Sequence, residues 1–288
     1  MSTDDPVPET DLLRRIRSDE PLVAAELRPP RANLTSSEGM ETWIDLHHAL
    51  RRLTRQDTVV FLTDDAVGDE EEENLRHLTT NLAGDLPTSR VCPFLTSKHP
   101  LEYCLRYADR AYSSGLEALT VLGGDRSVGP PRCVEHAYIL RRKIRRRIPD
   151  LPLGGWANPH RDPEEQVGYL LDEDFTAEYF LTQAVSHHHL ETVEAFLEEM
   201  RRRDVPHPAV FGVFFYRSPN PDTLRSLSRF FPVPAEEVTR EFERGDSPEE
   251  ICARTIRALR GLGVKRVYVS NLGYGEAATR MRRIRSEL

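Results

Sequence analysis

The sequence lacks several features that would assign it to a specialised class of protein. No stretch approaches the roughly 18 consecutive apolar residues that span a membrane, and the segment from Met1 to Thr10 is acidic and contains proline. Cysteine is scarce, with four in 288 residues, and none lies in a CxxC or Cys/His spacing typical of zinc or redox sites. The sequence therefore predicts a cytoplasmic protein without membrane contact.

Positive charge is also in short supply. Lysine and arginine number 39 against 47 aspartates and glutamates, which gives a formal net charge of −8 and a pI near 5.7. Binding to nucleic acid requires clustered cations that neutralise phosphates, so we expect no nucleic-acid partner. A small-molecule ligand and a monomer or small homo-oligomer are the expectation.

One histidine run is the remaining candidate for metal binding, at Ser186-His187-His188-His189. Adjacent positions on a helix point in different directions, so we interpret the run as the start of a helix with exposed imidazoles. The sequence then predicts no metal site.

The chain does contain an alternation of short apolar runs with longer amphipathic stretches. Eight apolar runs are predicted strands: Leu22–Leu27, Thr58–Leu62, Arg90–Leu95, Ala118–Leu122, Leu151–Trp156, Glu178–Thr182, Ala209–Val213 and Arg266–Ser270. Helices are predicted between and after them: Glu38–Leu53, Glu70–Leu82, Pro100–Ser114, Cys133–Arg147, Pro163–Leu171, His189–Arg203, Pro248–Leu262 and Tyr274–Arg285. The pattern predicts an α/β fold, a single-domain (β/α)8 TIM barrel over residues 21–288, with residues 1–20 as an N-terminal tail or first helix.

A doubly wound sheet is the main alternative fold. No phosphate-binding glycine loop follows a predicted strand, and Gly261-Leu262-Gly263 precedes one instead. The connection after the seventh strand is long and contains two extra predicted helices, Asp222–Phe231 and Ala235–Glu243. An insertion on this face would help to cover a bound substrate.

In a barrel of this kind the catalytic groups stand where the strands end. Glu26 has apolar neighbours there, so its carboxyl group is expected to be desolvated, which would raise its pKa and suit a general acid; pairing with an arginine is the alternative. Asp125 follows two glycines, which let a ligand ring approach the backbone; a helix-capping role is its alternative. Gln183 can both donate to and accept from a heterocycle. Further candidates at strand ends are Thr63, Thr96, Gly124, Trp156, His160, Thr182, Tyr216 and Asn271.

Together these strand-end motifs resemble the methylenetetrahydrofolate reductase family over nearly the whole chain. The segment 26–30 resembles the family's Glu-Phe-Phe-Pro-Pro, whose glutamate is the general acid, and 122–125 resembles its Leu-Arg-Gly-Asp, whose aspartate faces the pterin. Thr182-Gln183 resembles a Thr-Gln whose glutamine contacts folate. The segment 155–160 resembles an aromatic-to-His segment after strand five, and Asn271 falls where the family has Leu-Asn.

The departures from the family fall on groups that hold flavin adenine dinucleotide. The family's arginine, histidine and lysine at these places are Gly123, Phe94 and Asp172 here. Charge-assisted contacts are worth roughly 1.5 to 3 kcal/mol each, so the absence of three would weaken flavin binding by several orders of magnitude. Lys98 or Arg126 could compensate.

The resemblance therefore implies a flavin-independent branch of the family, in which NADH passes hydride directly to 5,10-methylenetetrahydrofolate. Glu26 would act as general acid, while Asp125 and Gln183, with Thr182 and Asn271, would bind the folate. Thr63, Thr96, Gly124, Trp156, His160 and Tyr216 would line the NADH site, and NADPH stays open. The alternatives are a conventional FAD-dependent enzyme and a folate-binding barrel without turnover.

Overall fold

The computed structural model describes residues 7–31, 33–64, 86–125 and 129–288. All eight strands are parallel, each pairs with the next along the chain, and the last pairs with the first, so the sheet closes into a barrel. The strands are β1 (Leu22–Leu27), β2 (Val60–Leu62), β3 (Val91–Thr96), β4 (Leu119–Leu122), β5 (Leu153–Ala157), β6 (Tyr179–Val185), β7 (Ala209–Phe214) and β8 (Arg266–Ser270). The closed barrel confirms the predicted (β/α)8 fold and excludes the doubly wound sheet, which is open.

Helices separate the strands along the chain. Those in the described residues are α1 (Asp11–Arg17), α2 (Ser36–Arg55), α3 (Leu101–Ser113), α4 (Ala137–Arg147), α5 (Pro163–Leu170), α6 (Leu190–Arg202), α7 (Pro221–Leu227), α8 (Ala235–Glu243), α9 (Pro248–Gly261) and α10 (Ala277–Ser286). The two extra helices predicted after the seventh strand are present as α7 and α8. The helix predicted over Glu70–Leu82 and the side chain of Arg126 lie outside the described residues. No helix in the described ranges has the length and apolar composition that crossing a bilayer requires.

Two helices begin with a capping box, a pair of reciprocal hydrogen bonds that marks the residue at which the helix starts. At α2 the Thr35 hydroxyl accepts the Glu38 N–H, and the Glu38 carboxylate accepts the Thr35 N–H at 3.0 Å. Ser247 and Glu250 repeat the arrangement at α9. Such caps satisfy backbone donors that have no partner within the helix and stabilise it by about 1 kcal/mol.

Side chains alternate along each strand between the barrel interior and the surrounding helices. The interior is an apolar group that we call the interior cluster, and its members include Leu22, Ala24, Val59, Phe61, Cys92, Phe94, Ala118, Leu122, Tyr179, Leu181, Val210 and Tyr268. Helix α1 packs on the amino end of this cluster through its fully buried Leu12, Leu13 and Ile16. The Leu12 N–H is also bound by Glu117, just before β4, at 2.9 Å. The first helix is therefore part of the barrel's core.

Gly154 on β5 is required by the packing of the interior. A Cβ there would lie 2.6 Å from Cε2 of Tyr179 and 2.8 Å from the Thr120 hydroxyl, and those two hydroxyl groups bind each other at 2.9 Å. We expect Gly154→Ala to lower the free energy of unfolding by about 1 to 3 kcal/mol, because the fixed ring has to shift. Urea denaturation measures this loss. The control is Gly261→Ala, where nothing lies within 4 Å and we expect no loss; equal losses would contradict a packing requirement at Gly154.

Candidate active site

The carboxyl ends of all eight strands meet at one mouth of the barrel, because the strands are parallel. When the interior alternation of β1, β2, β3 and β5 is continued to this mouth, it places Glu26, Thr63, Thr96 and Trp156 on the inner side. Trp156 packs on the interior cluster, and both threonines are buried. Four positions predicted from the sequence therefore share one end of the barrel interior.

Tyr268 lies on β8, which pairs with β1, and its side chain crosses the interior to β6. Its hydroxyl donates to the Thr182 carbonyl at 2.7 Å, next to Gln183. Burial, reinforced by the negative charge of Glu26, raises the pKa of Tyr268 well above its ordinary value. Ala24 on β1 is the register partner of Tyr268 on β8, and Glu26 follows Ala24 by two residues on the same inner face, so the half-buried Glu26 lies one step nearer the mouth. Tyr268 thus adjoins the strand that carries Glu26 and binds the backbone beside Gln183.

A β-bulge interrupts β6 at Thr182 and Gln183. The register against β7 shifts between Leu181 and Ala184, and the Thr182 hydroxyl occupies the gap. It accepts the Gly212 N–H at 3.1 Å and donates to the Gln183 carbonyl at 2.9 Å. Bulges of this kind redirect side chains beside active sites. Thr182, predicted to bind substrate, has a structural role here in setting the direction of Gln183.

The Gln183 side chain contacts the segment between α7 and α8. Its Nε2 donates to the Phe230 carbonyl at 3.1 Å, and its Oε1 accepts the Ala184 N–H at 2.9 Å. A ligand that forms hydrogen bonds with both Nε2 and Oε1 of Gln183 must replace these two hydrogen bonds. The insertion is thereby linked to a predicted folate-binding group.

The end of β4 carries two glycines that are covered by cationic side chains. A Cβ on Gly123 would lie 2.6 Å from Cζ of Arg132, and one on Gly124 would lie 2.8 Å from Cγ of Lys98. Gly124 also has a φ of +71°, which disfavours any other residue. The buried Lys98 donates to the Pro130 carbonyl at 3.0 Å, and Arg132 donates to the Gly124 carbonyl. Arg132 therefore supplies a guanidinium against position 123, where the residue itself has none.

Two more ionisable groups lie at the mouth, and the sequence predictions did not include them as a pair. Asp64 follows β2 and accepts the Thr96 N–H at 2.6 Å, while its other oxygen contacts Nε2 of His99 at 2.8 Å. Their side chains are 10% and 19% exposed, so the pair is largely shielded from water. The available signal was a polar residue within three positions of the end of each of two neighbouring strands. Asp125, directly after Gly124, is half-buried.

Three candidates for ligand contact have structural partners instead. Burial is the main cause that lowers the pKa of His160, and its Nε2 donates to the Ala184 carbonyl at 2.8 Å. Tyr216 is buried in a small apolar cluster with residues of α7 and α8. Asn271 has a φ of 65° and donates to the Phe215 carbonyl at 3.0 Å. Their binding roles stay predictions.

The histidine run differs from its predicted state. His187 and His188 lie in a turn before α6, so the directions of neighbouring helix positions do not apply to them. Their side chains are only 11% and 20% exposed. Both face the carboxylate of Glu241 on α8, with Nε2 to oxygen distances of 3.0 Å and 3.2 Å. The expectation of exposed imidazoles was therefore wrong, because a residue distant in the chain covers them.

These features define a (β/α)8 barrel with a carboxylic acid, a glutamine and two cations at its carboxyl mouth. No protein-family model and no curated protein sequence matches the chain. Among solved structures, the chain resembles an uncharacterized protein from Clostridium thermocellum that binds two copies of 5-methyl-5,6,7,8-tetrahydrofolic acid. The TM-score is 0.69 at 18% identity, over 96% of this chain and 99% of that one. An F420-dependent secondary alcohol dehydrogenase in complex with an F420-acetone adduct has a TM-score of 0.54 at 11% identity, over 92% and 99% of the two chains. Likeness at these identities establishes the fold.

Proposed function

We propose that this protein reduces 5,10-methylenetetrahydrofolate to 5-methyltetrahydrofolate at the carboxyl mouth, with hydride passed directly from NADH and without flavin. The observation that carries the proposal is the position of Glu26 on the inner side of the mouth, on the strand next to Tyr268, whose hydroxyl binds the backbone beside Gln183. The strand-end motifs support the folate assignment. So does the fold, because a solved structure that shares it binds the product of this reaction.

Glu26 is the proton donor in this mechanism. It protonates one of the two folate nitrogens that share the methylene carbon, that carbon–nitrogen bond breaks, and an iminium forms at the other nitrogen. A bound NADH would supply the hydride that converts the iminium carbon into the methyl group. Glu26 then regains its proton from solvent. Asp125 and Gln183 hold the pterin in place and stabilise the positive charge that develops on it.

Lys98 and Arg132 fit the phosphates of a dinucleotide. Both cations occupy the space that a side chain at Gly123 or Gly124 would take, so the two cationic side chains are held side by side at the end of β4. Guanidinium and ammonium groups bind phosphate oxygens through charge-assisted hydrogen bonds. We assign the pyrophosphate of NADH to this pair, and NADPH would place its pyrophosphate in the same way.

A second candidate function, the FAD-dependent reductase, is favoured by Arg132. Three flavin-binding positions of the family differ in this chain. At one of them, position 123, the family's arginine is replaced by glycine, but the guanidinium of Arg132 lies against that glycine. At the other two positions, Phe94 and Asp172, the residue present carries no positive charge. Phe94 packs inside the barrel against Phe61, with ring centroids 5.9 Å apart, and Asp172 is an exposed acid. Neither Phe94 nor Asp172 itself offers a cation to a flavin phosphate, and this supports the flavin-free reaction.

The deciding experiment follows NADH oxidation with methylenetetrahydrofolate, using protein stripped of any flavin. We expect turnover without flavin and no increase when FAD is added. Turnover only after FAD addition would establish the second candidate. Binding of 5-methyltetrahydrofolate without NADH oxidation in either condition would leave a folate-binding barrel and contradict both reductases.

A further inference from the structure

A compact group of three side chains lies just beyond the carboxyl end of β6, which ends at Val185. His187 and His188 come from the turn between β6 and α6, and Glu241 comes from α8. Their nearest ring nitrogens and carboxylate oxygens all lie within 4.8 Å of one another. Glu241 is 1% exposed, so this carboxylate is withdrawn from water. A buried carboxylate requires compensating cations or hydrogen bonds.

The geometry points to a binding site for a divalent ion of the zinc class, with His187, His188 and Glu241 as ligands and water at the fourth position. Two imidazoles and one carboxylate form a ligand set that holds zinc in proteins. Bonds of about 2.0 to 2.2 Å place the ligands of a tetrahedral ion roughly 3.3 to 3.6 Å apart. The present separations are 3.0 Å to Oε1 and 3.2 Å to Oε2 of Glu241, and all three ligand atoms lie within 4.8 Å of one another, so small side-chain shifts bring them to these distances.

The second nitrogen of His187 already has the partner that a metal ligand requires. Its Nδ1 lies 2.8 Å from the hydroxyl of Thr255 on α9. Metal-bound imidazoles usually donate from their other ring nitrogen to a fixed acceptor, which sets both tautomer and ring direction. The His187 and His188 rings are also held together, with centroids 3.9 Å apart. Both Nε2 atoms are therefore oriented before an ion arrives.

Arg254 is the cation that competes for this position. It binds Glu241 and also binds Asp246 at 3.0 Å. Its side chain is 36% exposed, so it can leave Glu241 and keep its contact with Asp246. An entering ion has to displace it, which predicts that removal of this arginine strengthens metal binding. A network built only to neutralise Glu241 predicts no metal affinity in either form.

An ion bound here would join the β6–α6 turn to α8. The segment just before α8 carries Phe230, whose carbonyl accepts a hydrogen bond from Gln183. Metal occupancy would thus fix the insertion beside the mouth. The three ligands have no role in the proposed mechanism, so metal binding can be measured whether or not the protein reduces folate.

The test uses the full chain without a histidine tag, treated with a chelator and then titrated with Zn²⁺ by calorimetry and with Co²⁺ by visible absorption. A Cys133→Ser background removes the half-exposed thiol, which is another soft ligand. We expect one equivalent of Zn²⁺ per chain, a tetrahedral Co²⁺ spectrum and no competition by Mg²⁺, which prefers oxygen ligands.

Matched variants separate the site from incidental binding. His188→Phe keeps the ring but removes the ligand atoms, and we expect it to abolish the one-equivalent binding. Thr255→Val should weaken it about 10- to 100-fold, and Arg254→Gln should strengthen it. Zn²⁺ should raise the thermal unfolding temperature of the parent chain but not that of His188→Phe. Absence of binding in the parent chain, its persistence in His188→Phe, or its disappearance in Arg254→Gln would overturn the assignment.

Discussion

Glu26→Gln should lower the rate of methylenetetrahydrofolate reduction by about 10²- to 10⁴-fold, the usual contribution of a general acid. Glutamine has nearly the same shape and keeps hydrogen-bonding capacity, but it cannot deliver a proton to the folate nitrogen. Binding of 5-methyltetrahydrofolate should therefore change little. The measurement pairs steady-state kcat with a dissociation constant from calorimetry, so that loss of chemistry is distinguished from loss of binding.

The control for this variant is Glu198→Gln, the same chemical change on the exposed side of α6. It should leave both kcat and folate affinity unchanged. Thermal unfolding of both variants checks that the interior near Tyr268 remains intact. An unchanged rate in Glu26→Gln would remove this residue from the mechanism. A rate loss matched by an equal loss of folate affinity would make it a binding group instead.

The barrel could be predicted because its determinants are local. Alternation of apolar runs and amphipathic stretches reports burial on one face, and β1 and β8 match their predicted limits of Leu22–Leu27 and Arg266–Ser270. The same alternation explains why Glu26 and Trp156 stand at the inner side of the mouth. Positions two residues apart on a strand share a face, so strand limits also determined which strand-end residues face inward.

The end of the sixth strand could not be predicted from its own sequence. The predicted strand ended at Thr182, because Gln183 breaks the apolar run. In the structure it continues to Val185, since the bulge lets a polar residue leave the ladder while the Thr182 hydroxyl replaces the missing contact. That compensation depends on the neighbouring strand, and no pattern within the segment itself indicates it.

The contacts missed from the sequence all depend on how loops and strands fold onto one another. Arg132 lies on Gly123, His99 binds Asp64, and Glu241 covers His187. Each partner is an ordinary polar residue in its own segment. The fold of the connection after β4 brings Arg132 onto Gly123, the barrel brings His99 to Asp64, and the insertion after β7 brings Glu241 to His187. Residue type and spacing could therefore indicate strand ends but not these pairs.

Loss of the Arg132 guanidinium should weaken NADH binding more than folate binding. We expect Arg132→Gln to raise the dissociation constant of NADH about 10- to 100-fold, because a charge-assisted contact to phosphate is worth roughly 1.5 to 3 kcal/mol. Lys98→Gln should act in the same direction, and kcat at saturating NADH should change little in either variant. Titration with NADH and with ADP-ribose, which keeps the pyrophosphate but lacks nicotinamide, isolates the phosphate contribution.

The matched control is Arg106→Gln, which removes a guanidinium that is 72% exposed on α3. Its effect on NADH should be negligible, because exposed charges contribute little. The same titrations with FAD distinguish the two reductases, since a flavoenzyme loses FAD affinity in Arg132→Gln while a direct hydride-transfer enzyme has little FAD affinity to lose. Equal weakening of 5-methyltetrahydrofolate and NADH would show that Arg132 supports the mouth as a whole, because only the dinucleotide carries a pyrophosphate for this cation to bind.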